Sequence, residues 1–505
     1  MVATLAKINK ADLTINKPLL FIFLSFLILT GCDEERALAP IAFNKANTLQ
    51  LQYKCPDVLP NIGGDLCGLY SVPLNWLSPK ADKINVFLRA FPLPKTDKNE
   101  SNGQLWLLDG GPGASGATFS DPKFVDLVHG MGWDLFIPTH RGVGFSNHLN
   151  CNINYQPLDE MFVQICAPEL INAYSDNLDW FGAVGAAHDL DYLIRANNPN
   201  KVPVVVMGTS YGTFLTQRFI QLFEGTIDAA VLMSGISLEP KFEITANEQE
   251  KTLKRMLLKC DEMPKCAALF ETSAYQTATD LIVNDAWQMC EFTKTNPQSV
   301  SFIIGSLASN SALRKDLPLT IKRLNNCDKQ DIVKLQKTLT LIQKNQQRQN
   351  KQLFQFNPLM LHHQIFTELL SKHTSKRKQA LLPQNPLLMS IVETYINLQH
   401  AWPTQAPPIS LPNTLKTKLP ILVMHGGLDM QAPLQWFEEI EQQLTRANQH
   451  AILFPDAGHG TPNYTKLANE ENCSWKIVES FMENRNEQLN TECLHDVKPI
   501  TFAVE

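Results

Sequence analysis

The sequence predicts an α/β protein in which a mostly parallel sheet is flanked by helices and interrupted by a large helical insertion. Strand-like runs that alternate with helical segments form two blocks, residues 84–234 and 419–454. Such alternation is typical of a parallel sheet whose strands are joined by helices. Between the two blocks, over residues 238–402, the strand-like runs disappear and apolar residues recur at helical spacing, as at Ile332, Leu335, Leu339 and Ile342.

This pattern divides the chain into four parts. Residues 1–31 are expected to be a signal peptide, and residues 32–237 the first part of the α/β core. Residues 238–405, called the helical insertion below, are expected to form a lid over the sheet, and the proline-rich segment 403–412 is its hinge back into the sheet. Residues 406–505 are expected to complete the core and to carry a C-terminal tail.

Length and composition agree with a large folded protein. The chain has 505 residues, of which 44% are apolar, and this is enough for a sizeable core. Its formal net charge is −6, and a charge of this sign and size chiefly serves solubility. We therefore expect no nucleic-acid partner, and we expect no cofactor.

The segment Gly208-Thr209-Ser210-Tyr211-Gly212 follows a predicted buried strand, residues 202–207, and precedes a predicted helix. A strand, a sharp turn and a helix around G-x-S-x-G form a nucleophile elbow, which exposes the serine oxygen at the top of a sheet. Glycines flank the serine because a Cβ there would clash with the neighbouring strand and helix. The pentapeptide alone is a weak signal, and its context makes Ser210 the candidate nucleophile.

A nucleophilic serine needs a base and an acid, which in this arrangement follow in the order serine, acid, histidine. Asp429 comes just after an apolar strand at residues 419–424, and His459 lies in a glycine-flanked loop after a strand at residues 451–454. On its own, Asp429 would be interpreted as a turn-forming aspartate, and His459 as a histidine in a surface loop. Together with Ser210 they predict a catalytic triad. Asp456 is the rival acid, but its place three residues before His459 favours a role in shaping that loop.

Acyl transfer also needs hydrogen-bond donors for the oxygen that becomes negative, and backbone amides serve this purpose without reorganising. One candidate is the amide of Tyr211, which directly follows the nucleophile. The other is the amide of Gly111, in the glycine-rich loop 109–116 that follows an apolar strand at residues 104–108. A plain flexible turn is the alternative interpretation of this loop.

These blocks resemble the α/β-hydrolase serine peptidases of the prolyl aminopeptidase and tripeptidyl aminopeptidase family. The resemblance rests on the Gly-Gly-Pro-Gly loop at 110–113, the segment 140–146, the elbow at Ser210 and the blocks around Asp429 and His459. It extends to residues 72–76 and to the cysteine-bearing C-terminal tail, and so covers most of the chain.

The sequence departs from the family pattern at two positions. Asp109 stands where prolyl aminopeptidases usually carry histidine before Gly-Gly-Pro-Gly, and Thr139 stands where an aspartate is common two residues before Arg141. Both departures concern the preferred substrate rather than the triad. In such enzymes the segment at Arg141 is a structural loop under the active site.

The resemblance implies a serine exopeptidase, an aminopeptidase of the prolyl or tripeptidyl type, that removes single residues or short fragments from the N-termini of short peptides. An esterase or another small-molecule hydrolase is the first alternative, because the same fold and triad serve both. An inactive hydrolase-fold lipoprotein that acts as a binding module is the second. An exopeptidase must also recognise a free amino group, and the start of the helical insertion offers carboxylates among which the sequence does not choose, namely Glu239, Glu243, Glu248, Glu250, Asp261 and Glu262.

The N-terminus predicts export and lipidation. Residues 1–17 carry three lysines against one acid, and residues 19–30 are almost wholly apolar, which is typical of a signal peptide and too short for a comfortable membrane span of about 20 residues. The small residues before Cys32 resemble a bacterial lipobox, in which that cysteine is lipidated and anchors the protein. Asp33 resembles the signal that retains such lipoproteins in the inner membrane, so we expect a periplasm-facing lipoprotein of the cell envelope.

The remaining cysteines agree with export, because there are ten of them and an even number suits a disulfide set. An oxidising compartment would pair them, and no C-x-x-C spacing suggests metal binding. Their grouping along the chain predicts five bridges between sequence neighbours, namely Cys55 with Cys67, Cys151 with Cys166, Cys260 with Cys266, Cys290 with Cys327, and Cys473 with Cys493.

Overall fold

The computed structural model describes residues 54–505 with short internal gaps. The residues that it does not describe within this range are 95–99, 120, 152–157, 285–289, 294–297, 353–354, 374, 385, 405, 462–464 and 487. The predicted signal peptide, residues 1–31, and the predicted lipidation residue Cys32 lie outside the described residues.

Eight strands form one sheet with the order β1-β2-β4-β3-β5-β6-β7-β8. Their bounds are β1 (Leu66–Pro73), β2 (Lys83–Phe91), β3 (Gly103–Leu108), β4 (Trp133–Pro138), β5 (Val204–Thr209), β6 (Ala229–Met233), β7 (Ile421–Gly426) and β8 (Gln449–Phe454). The pairs β1–β2 and β2–β4 are antiparallel, and all the other pairs are parallel. This is the α/β-hydrolase arrangement that the sequence predicts.

The predicted strands at 104–108, 202–207, 419–424 and 451–454 correspond to β3, β5, β7 and β8, but their ends are shifted. β5 begins at Val204 and β7 at Ile421, because Pro203 and Pro420 lack the N–H group that a central strand must donate. Both strands also continue two residues beyond the predicted end, to Thr209 and Gly426. The elbow and the Asp429 loop therefore start directly at the edge of the sheet.

Helices cover both faces of the sheet. In the core they are α1 (Pro122–Gly130), α2 (Glu160–Tyr174), α3 (Ala183–Asn197) and α4 (Tyr211–Phe223) before the insertion, and α14 (Leu434–Glu441) and α15 (Cys473–Glu483) after it. β5 shows why two layers are needed: Val204 and Val206 pack into one apolar cluster, while Val205 and Met207 pack into the cluster on the other face. A strand that is buried on both faces reads as a continuous apolar run.

The helical insertion separates β6 from β7, which are nevertheless neighbours in the sheet. Its helices are α5 (Thr245–Asp261), α6 (Pro264–Ala267), α7 (Ala274–Ile282), α8 (Gln298–Ser309), α9 (Leu317–Asn326), α10 (Lys329–Gln352), α11 (Pro358–Gln364), α12 (Ser375–Gln379) and α13 (Val392–Leu398), with a π-helical turn at Ile365–Leu369. The insertion has a hydrophobic cluster of its own, which Leu428 and Met430 of the core join. Among the described residues, no helix has the length and apolar character to cross a membrane.

The five disulfide bonds join the predicted pairs, namely Cys55–Cys67, Cys151–Cys166, Cys260–Cys266, Cys290–Cys327 and Cys473–Cys493. Two of them lie within the helical insertion. Because disulfides persist in oxidising compartments, a set of five indicates an extracytoplasmic protein.

A buried ion pair links the loop after β4 to α3 and to the end of β1. Arg141, in the loop after β4, donates from Nε to Asp189 Oδ2 of α3 at 2.7 Å, and both side chains are almost fully buried. Its remaining N–H groups donate to the carbonyls of Pro73, Leu74 and Trp180. One guanidinium therefore ties β1, the β4 loop and α3 together.

We expect Asp189→Ala to destabilise the protein by about 3–5 kcal/mol, because it leaves the Arg141 guanidinium buried without its counter-ion. Denaturant unfolding with the disulfides intact measures this. The matched control is Asp191→Ala on the same helix, whose partner Arg195 is largely exposed and whose loss should cost less than about 1 kcal/mol. Equal effects of the two substitutions would contradict the prediction.

The buried carboxyl group of Glu250, in α5, should make the stability of the protein depend on pH. It accepts a hydrogen bond from the Leu388 amide at 2.7 Å, but burial raises the pKa of its carboxyl to about 7. Because the folded state holds this proton more tightly than the unfolded state does, stability should fall as the pH rises from about 4.5 to 7. Above about pH 7, the pKa of Glu250 in the folded protein, this loss of stability should be complete.

Glu250→Gln should remove this loss, because the amide carries no charge and its oxygen still accepts from Leu388. The variant should therefore be more stable than the parent at pH 8 by on the order of 2 kcal/mol and similar to it near pH 4.5. Thermal unfolding at the two pH values measures the difference. A parallel pH dependence in parent and variant would show that Glu250 is not responsible.

Candidate active site

Ser210 lies at the sharp turn between β5 and α4. Its φ is +55° and its ψ is −123°, a conformation that residues with a Cβ rarely adopt. A Cβ on Gly208 would lie 2.4 Å from the Gly212 carbonyl oxygen, and one on Gly212 would lie 2.3 Å from the Leu108 carbonyl oxygen. The two glycines thus permit the turn, and the Ser210 amide fastens it by donating to the Met233 carbonyl at 3.0 Å.

Asp429 and His459 are directly bonded. His459 Nδ1 lies 2.8 Å from Asp429 Oδ2 and 3.0 Å from Oδ1. The carboxylate is buried and also accepts from the amides of Gln431 and Ala432, both at 2.8 Å. Burial would raise the pKa of Asp429, but the charge and hydrogen bond of His459, with the Ala432 amide, lower it to about 2. The group therefore stays a carboxylate that orients the imidazole ring.

The His459 loop meets the elbow through the end of β6. The Gly460 amide donates to Ser234 Oγ at 3.1 Å, and Ser234 directly follows Met233, whose carbonyl binds the Ser210 amide. Within the described residues, no hydrogen bond joins Ser210 Oγ to His459. The structure thus pairs the predicted acid with the predicted base, and it sets the serine at the end of β5, which is separated from β7 by β6. Catalytic contacts often tighten only when substrate binds.

Asp456, the rival acid, has other partners. Its carboxylate lies 2.6 Å from Lys259 Nζ of α5 and accepts from the Ile500 amide at 3.0 Å. It therefore joins the His459 loop to the helical insertion and to the C-terminal tail.

The glycine-rich loop after β3 lies against the serine. A Cβ on Gly110 would stand 2.8 Å from Ser210 Cβ and 3.4 Å from its Oγ, so only glycine permits this approach. Gly111 follows with a φ of +107°. Tyr211 is the first residue of α4, where the N–H groups have no partner within the helix. Both predicted oxyanion donors therefore belong to segments that border the Ser210 side chain.

The helical insertion contributes buried polar residues that the sequence analysis missed. Tyr211 Oη donates to Glu368 Oε2 at 2.6 Å, and Glu368 Oε1 accepts from the Ala183 amide at 2.7 Å. Asn357 caps α11 and donates from Nδ2 to the carbonyls of Gly142 and Leu149. The insertion is thus hydrogen-bonded to the elbow and to the neighbouring loops. Glu368 lies in the π-helical turn, a conformation that is often found at functional sites.

His140 is held in the same region. Its Nδ1 lies 2.6 Å from the Arg141 carbonyl oxygen and its Nε2 lies 3.0 Å from Gln364 Nε2. Burial lowers the pKa of His140 to about 4, against the hydrogen bond to Arg141. The ring is therefore neutral at physiological pH, and it serves as a structural contact between the β4 loop and α11. The polar run His362-His363-Gln364 inside an apolar helix is the one sequence signal that could have indicated this contact.

Five of the six carboxylates at the start of the insertion have structural partners. Glu243 is fully buried and accepts from the Ser371 hydroxyl and amide. Glu248 lies 2.6 Å from Lys251 Nζ. The other partners are Lys241 for Glu239, the Leu388 amide for Glu250 and the Ala274 amide for Asp261, while Glu262 is exposed at the end of α5. In the described part of the chain, no cluster of three or more His, Cys, Asp and Glu residues could hold a metal ion.

Two family models match the chain. One, described as "alpha/beta hydrolase fold", matches residues 105–268, which include Ser210. The other, described as "TAP-like protein", matches residues 391–493, which include Asp429 and His459.

Among characterised proteins, the serine protease Hip1 of Mycobacterium tuberculosis is 25% identical over 245 residues, which is 42% of this chain and 44% of that protein. The chain thus spans less than half the length of the curated relatives that it matches. Among solved structures, proline iminopeptidase of Mycobacterium smegmatis is 12% identical with a TM-score of 0.35, covering 83% of this chain and 98% of that chain. A probable hydrolytic enzyme of Pseudomonas aeruginosa PAO1 is 12% identical with a TM-score of 0.34, covering 79% and 89%.

The sheet order, its parallel strands and the first family model agree with one another. The chain therefore has the α/β-hydrolase fold, with a TAP-like region at residues 391–493.

Proposed function

We propose that the protein is a serine exopeptidase that removes single residues or short fragments from the N-termini of short peptides. The observation that carries the proposal is the bond between His459 Nδ1 and the buried Asp429 carboxylate at 2.8 Å, beside an elbow that exposes a serine. A histidine held in one tautomer by a buried carboxylate is the general base that a serine nucleophile needs.

In the proposed reaction, Ser210 Oγ attacks the peptide carbonyl carbon while its proton passes to His459 Nε2. The imidazolium that forms is stabilised by Asp429, and the carbonyl oxygen, now negative, is held by the amides of Gly111 and Tyr211. His459 then gives its proton to the leaving amine, and the peptide bond breaks to leave an ester on Ser210. Water, deprotonated by His459, hydrolyses that ester and returns the serine to its starting state.

The preference for peptides has separate support. One matched family model is described as TAP-like, and the curated relative Hip1 is named a serine protease. The helical insertion, which we propose acts as a lid, packs Leu428 and Met430 on either side of Asp429 into its own cluster. A cover so close to the triad would admit short peptides and chain ends rather than folded proteins.

We expect Ser210→Ala to abolish labelling by a fluorophosphonate probe and to lower peptide hydrolysis by on the order of 10⁴- to 10⁶-fold, because the nucleophile is removed. Ser273→Ala is the matched control, since its hydroxyl caps α7 of the helical insertion by accepting from the Gln276 amide, and it should still be labelled. Gel fluorescence and hydrolysis of peptide nitroanilides measure the two effects.

The same assay separates the candidate functions. An exopeptidase should cleave nitroanilides with a free N-terminus and leave N-acetylated ones intact. Hydrolysis of esters alone would favour an esterase, and a wild-type protein that the probe does not label would favour the inactive binding module.

We further propose that lipid on Cys32 anchors the enzyme to the periplasmic side of the inner membrane. The five disulfides support the oxidising compartment, and the short apolar segment before Cys32 supports processing there.

The anchor predicts the result of membrane fractionation. The parent protein should sediment with inner membranes, and Cys32→Ala should lose the lipid and with it the mature membrane-bound form. Mass spectrometry of the mature N-terminus checks the modification. Recovery of the parent in the outer membrane would contradict retention by Asp33, and a soluble parent would contradict the lipid.

A further inference from the structure

His425 is a fully buried histidine at the end of β7, just before the loop that carries Asp429. Its ring packs against Phe437 of α14, with the two ring centroids 5.4 Å apart. Its Nε2 lies 3.2 Å from the carbonyl oxygen of Ala432, at the far end of the Asp429 loop, residues 427–433. One side chain thus joins the strand before this loop to the backbone at its end.

The contact with Ala432 defines the state of the His425 ring. A carbonyl oxygen can only accept a hydrogen bond, so the hydrogen of a neutral ring is on Nε2. Burial lowers the pKa of His425, and the charge of Asp429 only partly opposes this effect, so the ring is neutral near pH 7. Its Nδ1 has no hydrogen-bond partner among the residues that the structure describes. Because buried polar groups normally have partners, the single bond that the ring makes is its one polar function in the fold.

The start of the Asp429 loop is held by backbone hydrogen bonds. The Gly427 amide donates to the Phe454 carbonyl at 2.8 Å, and the Leu428 amide donates to the Ala457 carbonyl at 2.9 Å. Both acceptors belong to the segment that leads from β8 to His459. The beginning of the acid loop is therefore fixed against the base loop without help from side chains.

The end of the loop depends on His425. The Ala432 amide donates to Asp429 Oδ1 at 2.8 Å, and the Ala432 carbonyl binds His425 Nε2. The following residue, Pro433, has no N–H group with which to continue the backbone bonds. Because the amide and the carbonyl of Ala432 flank one Cα atom, a bond that holds the carbonyl also restricts the direction of the amide. Two hydrogen bonds in series thus connect His425 to Asp429.

We propose that His425 is a positioning residue for the reaction: it fixes the Ala432 backbone, which orients the Asp429 carboxylate and through it the ring of His459. This inference rests on the proposed function, because it gives His425 a role in the Ser210 mechanism. His425 takes no proton in that mechanism and acts only through Ala432 and Asp429. Its effect should therefore appear in the chemical step and not in substrate binding.

The first test is His425→Phe, which keeps a ring against Phe437 and removes the donor to Ala432. The rate of fluorophosphonate labelling and kcat should both fall by about 10- to 100-fold, because a small displacement of a catalytic group has an effect of this size. KM should change little, since no group that binds substrate is altered. A less well oriented carboxylate also stabilises the imidazolium less, so the acid limb of the pH profile of kcat/KM should move to lower pH.

Two amide variants separate positioning from packing, and they keep the inference testable if His425→Phe does not fold. In His425→Gln the amide nitrogen takes the place of Nε2 and can still donate to Ala432. In His425→Asn the side chain is shorter and its nitrogen takes the place of Nδ1, which makes no such bond. His425→Gln should retain most of the labelling rate, and His425→Asn should lose it as His425→Phe does. Equal rates for the two amides would overturn the proposal.

His129→Phe is the matched control. His129 lies in α1, and its Nε2 is 3.1 Å from the Phe91 carbonyl oxygen, so the substitution removes a bond of the same kind away from the triad. It should leave the labelling rate and the pH profile unchanged. Thermal unfolding of all the variants shows how much stability each one loses, and a positioning role requires that activity does not simply follow this loss.

The outcomes distinguish this inference from the function on which it rests. If the parent is not labelled at all, the proposed serine mechanism fails and the role of His425 fails with it. If the parent is labelled but hydrolyses only esters, the exopeptidase proposal fails, while slow labelling of His425→Phe still supports the positioning role. If the parent cleaves free peptide nitroanilides and His425→Phe and His425→Asn are labelled as fast as the parent, the assignment of His425 is wrong and the exopeptidase stands.

Discussion

The arrangement around the active site depends on one constraint, the close approach of β3, β5 and α4 at the elbow. Gly208 and Gly212 lie so near neighbouring backbone that no side chain fits, and Ser210 between them takes a left-handed conformation that a residue with a Cβ adopts only when its surroundings enforce it. The bond from the Ser210 amide to Met233 supplies part of that enforcement. The strained turn lifts the hydroxyl out of the sheet, where other groups can reach it.

Parallel strands bring those groups to the same edge. The carboxyl ends of β3, β5, β7 and β8 all face one way, so the glycine-rich loop 109–116, Ser210, Asp429 and His459 emerge at the same edge although they are far apart in the chain. Two backbone amides and one imidazole hold the Asp429 carboxylate. The backbone of the short loop after β7 therefore orients the carboxylate, and the imidazole of His459 binds it as the other residue of the pair.

The helical insertion contacts the candidate site directly. Glu368 binds the hydroxyl of Tyr211, and Asn357 binds the loop carbonyls beside the sheet, so the insertion holds the walls of the site in place. On the other side, the Arg141–Asp189 pair fixes the loop after β4 against α3. These buried polar side chains are tolerated because each of them is hydrogen-bonded. Removal of one would leave its partner buried without a hydrogen bond, next to the elbow or its neighbouring loops.

The sequence by itself determined the features that depend on neighbouring residues. The apolar runs defined β3, β5, β7 and β8 to within two residues, the glycines defined the elbow, and cysteines close together in the chain defined the disulfide pairs. Only the tertiary structure decided the contacts of Tyr211 with Glu368 and of His140 with Gln364, and it alone gave five of the insertion carboxylates their partners. The physical reason is that local periodicity reports which face of an element is buried, whereas a buried hydrogen bond depends on which distant segment packs against that face.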